Sequence, residues 1–151
     1  SFRRSVLCGV LCRIAAPLLG LEISDAYLCG LLHDIGESRV YRILDEAKAT
    51  PGQEEALQLV RKYHPRAGAE LAMRWALPDD IVQVCRRHED ADAPSTERLR
   101  LVRLADLLVP RVEEATKEPS PLAGSGIEAL NVSVDLAQTI IDRALSAAAR
   151  M

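Results

Sequence analysis

Hydrophobic positions recur at helical spacing in almost every segment of the chain. Val6, Val10, Ile14 and Leu18 are spaced four residues apart, which predicts an amphipathic helix over residues 3–19. The same kind of pattern predicts further helices at 24–32, 38–49, 53–63, 65–75, 79–87, 97–109 and from 133 onward. No hairpin signal and no internal repeat appears. The pattern therefore predicts an all-α fold, a bundle of about seven to nine helices.

One segment has the composition of a linker. Residues 116–132 contain Pro119, Pro121, Gly124 and Gly126, and such residues interrupt helices. We therefore expect a helical core over residues 1–115 and a Pro/Gly-rich connection over residues 116–132. A C-terminal helix over residues 133–151 should pack on the core, because its apolar positions need a cover.

The composition excludes several classes of protein. Aromatic residues make up only 3% of the 151 residues, so the core must be built from aliphatic side chains, which suits packed helices. The net charge of −3 excludes the basic field of a general nucleic-acid binder, so we interpret the arginine clusters as a solvated face. These arginines are Arg86, Arg87, Arg98, Arg100 and Arg103.

The remaining composition indicates a cytoplasmic protein. No apolar run approaches the length of a membrane span, and no signal-peptide pattern is present. Cys8, Cys12, Cys29 and Cys85 lie within apolar periodic segments, where cysteine is expected to act as a small buried hydrophobic residue of a reducing compartment.

Two places in the sequence bring carboxylates into apolar surroundings. His33 and Asp34 directly follow an apolar run, and together they offer nitrogen and oxygen ligands to one divalent ion. The alternative is a polar helix end that binds loose carbonyls. Asp106 falls between Leu99 and Val102 on the predicted helical face, where a carboxylate needs an ion pair, a capping role or a metal.

Two further histidines lie where predicted elements meet. His64 precedes Pro65, at the expected start of a helix, and His88 lies where another helix ends. A lone histidine at such a boundary is more often a cap or a surface residue. Three histidines and two carboxylates together favour a shared site, since clustered titratable groups are typical of functional sites.

Several of these segments resemble one known family. Residues 30–36, Gly-Leu-Leu-His-Asp-Ile-Gly, resemble the HDIG signature of the HD superfamily of helical metal-dependent phosphohydrolases. Residues 63–71 and 75–78 resemble the next block of the HDOD branch, the HD-related output domain. Residues 81–88 and 103–106 fit its later helices, so the resemblance covers nearly the whole chain.

The resemblance implies a metal site and its residues. HD enzymes bind metal through a histidine in the first helix, the His-Asp doublet and a later aspartate, which correspond here to Arg4, His33, Asp34 and Asp106. His64 and His88 correspond to positions that provide extra ligands in relatives with two metals. If the site is retained, the implied cofactor is a divalent ion such as Mn, Fe or Mg. His33 and Asp34 are then the expected catalytic residues.

The chain departs from the catalytic pattern at three points. Arg4 replaces the first-helix histidine, and a guanidinium neither ligates nor loses its charge. We expect Arg4 to form an ion pair with Asp34 or Asp106 instead. Glu37 replaces the lysine that follows the signature in catalytic HD-GYP relatives, and the Gly-Tyr-Pro element is absent from the sequence.

These departures favour a regulatory domain over an enzyme. The resemblance implies a non-catalytic output domain of bacterial signal transduction with a degenerate metal site. Its partners would be other signalling proteins or domains, reached through protein–protein or ligand contacts, and neither nucleic acid nor a membrane. The alternative is a metal-dependent phosphohydrolase that acts on a nucleotide or a cyclic dinucleotide.

Overall fold

The structure is a computed structural model that describes residues 2–114, 121–122 and 124–150. This part of the chain contains helices and no strand, which confirms the all-α fold class. The α-helices are α1 (Phe2–Leu18), α2 (Ala26–Leu32), α3 (Ile35–Glu46), α4 (Gln53–Arg74), α5 (Asp79–Arg87), α6 (Glu97–Glu113) and α7 (Val134–Ala148). A short 3₁₀ helix spans Ile127–Leu130.

The helices belong to two compact units. The first unit consists of Ser1–Gly30 and Ser95–Met151, and α1 packs there against both α6 and α7. Its core is aliphatic, as the composition predicts, and Leu11, Leu104 and Ile140 are completely buried. Helix α7 thus packs on helices of its own chain. The predicted connection falls partly on residues 115–120 and 123, which lie outside the described residues.

Side-chain caps and arginine contacts fix the ends of helices in the first unit. Thr96 Oγ1 accepts the amide of Leu99 at the start of α6 (3.2 Å), and such a cap stabilises a helix by about 1 kcal/mol. Arg98 donates to Asp25 (3.1 Å), and Arg100 donates to the carbonyl of Leu130 (2.8 Å). Two arginines of the predicted basic clusters therefore form hydrogen bonds that stabilise the first unit.

The second unit, Leu31–Pro94, is built around α4, which packs against α3 and α5. Helices α3 and α4 approach each other closely at Gly36. A Cβ atom on Gly36 would overlap the carbonyl oxygen of His64 and would lie 2.6 Å from the amide nitrogen of Gly68. Only glycine permits this approach, which brings the start of α3 against the middle of α4.

The predicted break before Pro65 is wrong. Helix α4 runs without interruption through Pro65, although a proline inside a helix removes one backbone hydrogen bond. The helix continues because both of its halves contribute to the core: Val60 is buried before the proline, and Ala69 and Ala72 are buried after it. Tertiary packing therefore outweighs the local cost of the proline, and His64 lies inside a helix rather than at its start.

Other expectations about the chain hold in the described part. All four cysteines are buried and none of them forms a disulfide bond. Helix α5 has the predicted limits, whereas α6 extends past Pro110 to Glu113. Among the described helices, none combines the length and the apolar character that crossing a bilayer requires.

We predict that Gly36→Ala destabilises the protein by about 1–3 kcal/mol or more, because the added methyl group overlaps backbone atoms of α4. Gly52→Ala is the matched control, since Gly52 has φ −60° and no atom within 4 Å of an added Cβ. The control should cost less than about 1 kcal/mol. Urea unfolding measures both free energies, and equal losses in the two variants would contradict this account of the α3–α4 contact.

Candidate metal centre

Asp34 lies in the turn between α2 and α3, directly before the first residue of α3. Its backbone carbonyl accepts the amide of Glu37 (3.0 Å). Its carboxylate does not cap α3, although aspartate at this position usually does. The half-buried carboxylate faces three buried histidines instead, and each of the three has an Nε2 atom within 3.3 Å of it.

Backbone hydrogen bonds fix the orientation of two of these histidine rings. His64 Nδ1 donates to the carbonyl of Val60 one turn earlier in α4 (2.8 Å). His88 Nδ1 donates to the carbonyl of Cys85 (2.9 Å) at the end of α5. A carbonyl can only accept, so both Nδ1 atoms carry hydrogen. Each ring therefore directs its Nε2 atom toward Asp34.

The two Nε2 atoms lie 3.2 Å apart. In the neutral rings both atoms carry lone pairs, which repel each other at this distance unless a proton or a metal ion lies between them. Two nitrogens bound to one tetrahedral ion at about 2.0–2.1 Å lie about 3.4 Å apart. Asp34 Oδ1 completes a triangle, at 3.3 Å from His64 Nε2 and 2.9 Å from His88 Nε2. The residues present therefore fit a divalent ion.

His33 contacts the other oxygen of the same carboxylate. Its Nε2 lies 3.1 Å from Asp34 Oδ2, and the side chain is 2% exposed. Its ring stands edge-on to that of His88, with the centroids 5.1 Å apart. His33 thus adds a third imidazole beside this carboxylate, and its role as a metal ligand stays a prediction.

Sequence reasoning missed one residue of this cluster. Glu89 Oε1 lies 3.6 Å from His64 Nε2 and 4.0 Å from His88 Nε2. Potential ligand atoms of Asp34, His64, His88 and Glu89 all lie within 4.8 Å of one another. One sequence feature could have pointed to Glu89. It follows the C-terminal end of α5, where the helix dipole disfavours an acidic side chain.

The histidines dominate the electrostatics of the cluster. Burial raises the pKa of Asp34, but hydrogen bonds from His33, His64 and His88 outweigh it and hold this pKa well below its usual range. Burial lowers the pKa of His64, but the hydrogen bond to Asp34 and the charge of Glu89 bring the net pKa above its usual value. The cluster thus attracts positive charge.

Cys85 lies in the same unit, but its thiol is not in the deprotonated form that binds metal. Burial, and then the charge of Asp34, raise the pKa of its thiol to about 11. The thiol donates to the carbonyl of Leu32 at 3.3 Å. Cys85 therefore stays protonated at neutral pH, whereas a metal ligand must be a thiolate.

The other sequence-predicted site residues are Arg4, Asp106 and Glu37. Arg4 Nε lies 3.4 Å from Glu113 Oε1, an ion pair that is not predicted from the sequence. Its expected pairing with Asp34 or Asp106 stays a prediction. Asp106 is exposed on α6, so the premise that it occupies a buried apolar face is wrong, and its role as a ligand stays a prediction. Glu37 is half-buried in the first turn of α3.

The described part of the chain is helical. In it, the histidine of a His-Asp doublet and two further histidines surround the carboxylate of that doublet. These are features of the HD superfamily. The family model described as the HDOD domain matches residues 1–91, more than half of the chain. The chain belongs to the HDOD domain family.

The chain is also similar to part of several curated proteins named Ribonuclease Y. Ribonuclease Y of Geobacter metallireducens is 31% identical over 107 residues, which cover 71% of this chain and 17% of that protein. Ribonuclease Y of Lawsonia intracellularis is 33% identical over 107 residues, 70% of this chain and 17% of that protein. The chain thus spans less than one fifth of the length of these relatives. No solved structure matches the chain.

We predict that divalent metal binds more weakly as the pH falls, because the raised pKa of His64 places a competing proton on its Nε2 atom. Below that pKa, the metal must displace one proton from His64 in order to bind. The affinity should therefore fall about tenfold, or about 1.4 kcal/mol, for each unit by which the pH is lowered. Competition with a chromophoric chelator between pH 5.5 and 8 measures this slope. An affinity that does not change over this range would contradict the assignment of His64 as a ligand.

Proposed function

We propose that the chain is a non-catalytic regulatory domain of a bacterial signalling protein, in which Asp34, His64 and His88 hold one divalent metal ion. The observation that carries this proposal is the convergence of two oriented imidazole nitrogens on one carboxylate oxygen, with separations of 2.9–3.3 Å. Membership of the HDOD family supports the regulatory role.

The proposed ion connects three segments of the second unit. Asp34 precedes α3, His64 lies inside α4, and His88 ends α5. An ion bound by all three would link the helices of this unit, so that its binding energy adds to the stability of the fold. A regulatory domain that acts through contacts with partners needs such a defined surface more than it needs a reactive site.

Arg4 supports the absence of catalysis. In the family resemblance, Arg4 occupies the position of the first-helix ligand, and its guanidinium pairs with Glu113. A fixed cation at a ligand position disfavours the binding of a metal ion there, because like charges repel. In-line attack on a phosphodiester commonly relies on two ions that stabilise the attacking and leaving oxygens. The proposal therefore assigns one ion to this chain.

A phosphohydrolase is the second candidate, and the similarity to proteins named Ribonuclease Y favours it. A bound divalent ion would supply Lewis-acid polarisation of a phosphoryl oxygen. His64 and His88 would hold that ion, and His33 would hold Asp34 in position. The substrate in this case would be RNA or another phosphodiester.

Metal content and hydrolysis distinguish the two candidates. We expect the purified chain to contain about one divalent ion and to show no Mn²⁺-dependent cleavage of bis-p-nitrophenyl phosphate or of a short RNA. The double variant His64→Ala/His88→Ala is the control for contaminating nucleases and should lose the ion. Mn²⁺-dependent cleavage that the double variant lacks would contradict the regulatory proposal, as would a chain that binds no metal.

We further predict that Arg4→His adds a second metal-binding event, because it removes the cation and restores an imidazole at the family's first ligand position. Arg3→His is the matched control, since Arg3 is the exposed neighbour on the same helix. Isothermal titration with Mn²⁺ should give two ions per chain for Arg4→His and one for the control. One ion per chain in both variants would contradict the role assigned to Arg4.

A further inference from the structure

Glu89 lies directly after helix α5, beside the histidine cluster. It follows His88, the residue that caps the C-terminal end of α5. The helix dipole places partial negative charge at that end, so that a carboxylate there is unfavourable unless a cation compensates it. The basic residues of the last turn are Arg86 and Arg87, and Arg87 Nε donates to Gln83 (3.1 Å). The carboxylate of Glu89 also faces the two histidines.

The distances among four side chains describe the edges of a tetrahedron. Asp34, His64 and His88 form one face, with edges of 2.9, 3.2 and 3.3 Å. Glu89 Oε1 adds edges of 3.6 and 4.0 Å to the two histidines. The sixth edge, from Glu89 to Asp34, is at most 4.8 Å. Four ligands around one ion at about 2.0–2.1 Å have edges of about 3.4 Å.

The longer edges belong to the one side chain that can move. Glu89 is 52% exposed, whereas His64 and His88 are 2% exposed and held by backbone hydrogen bonds. Rotation of the exposed Glu89 side chain toward the histidines meets little steric resistance, because solvent surrounds about half of it. The two carboxylates also supply oxygen ligands, which a divalent ion such as Zn²⁺ accepts together with imidazole nitrogens.

We infer that Glu89 is the fourth ligand of this ion and closes its coordination shell. The inference rests on the proposed metal site and extends it to a shell of two histidines and two carboxylates. Four protein ligands around a tetrahedral ion are typical of structural sites, whereas hydrolytic sites keep one position open. Such a shell selects Zn²⁺ or Co²⁺ over Mg²⁺, which prefers six oxygen ligands and retains its waters.

Cobalt spectroscopy of the full chain tests this inference. The Co²⁺-loaded protein should show the strong visible absorption of a four-coordinate ion. In Glu89→Gln this absorption should weaken toward the bands of higher coordination, as solvent enters, and the Zn²⁺ affinity should fall by at least about 100-fold, more than the loss of a residue outside the ligand set. Asp90→Asn is the matched control, because it removes a neighbouring exposed carboxylate and should leave both readouts unchanged.

The outcomes separate this inference from the proposed function. If Glu89→Gln keeps the spectrum and the affinity of the control while His64→Ala loses the ion, Glu89 is not a ligand and the three-residue site stands. If neither the wild type nor the control binds Co²⁺ or Zn²⁺, the proposed metal site itself fails. Thermal unfolding in the presence of a chelator checks that both variants fold as the wild type does, as the exposure of Glu89 and Asp90 leads us to expect.

Discussion

The two backbone hydrogen bonds of His64 and His88 are the constraint on which the site depends. Each bond places hydrogen on Nδ1 and thereby fixes which nitrogen of the ring is available. The remaining nitrogens lie 3.2 Å apart, with the carboxylate of Asp34 beside both. Positive charge in the space between them stabilises this arrangement. A proton can provide that charge, and a divalent ion provides it with better matched geometry.

The fold supplies this constraint through close helix packing. Gly36 lets the backbone of α3 approach the carbonyl of His64, so the turn that carries Asp34 lies directly against α4. Helix α5 packs on the same helix and ends at His88. The three proposed ligands therefore come from elements whose positions are set by apolar packing within one unit. Rigid supporting elements of this kind are what a precise metal site requires.

The sequence predicts the helical class and most helices, because the apolar periodicity is strong. It fails where tertiary packing overrides a local rule, as at Pro65, whose cost is outweighed by buried residues on both sides. Asp34, His64 and His88 were predicted from their residue types and from the family resemblance. Glu89 was not, because an acidic residue after a helix has no periodic signal. Asp106 was placed on an apolar face from helical angles, which do not determine how much solvent reaches the edge of that face.

X-ray absorption at the zinc edge tests the central claim most directly, because it reports the atoms bound to the ion without depending on activity. The account predicts two imidazole nitrogens and carboxylate oxygens at about 2.0–2.2 Å from the zinc, and no sulfur. His88→Ala should remove one of the two imidazole contributions. A sulfur ligand at about 2.3 Å would place the ion on a cysteine, and a shell of oxygen atoms alone would place it away from the histidines. Either result would contradict the proposed site.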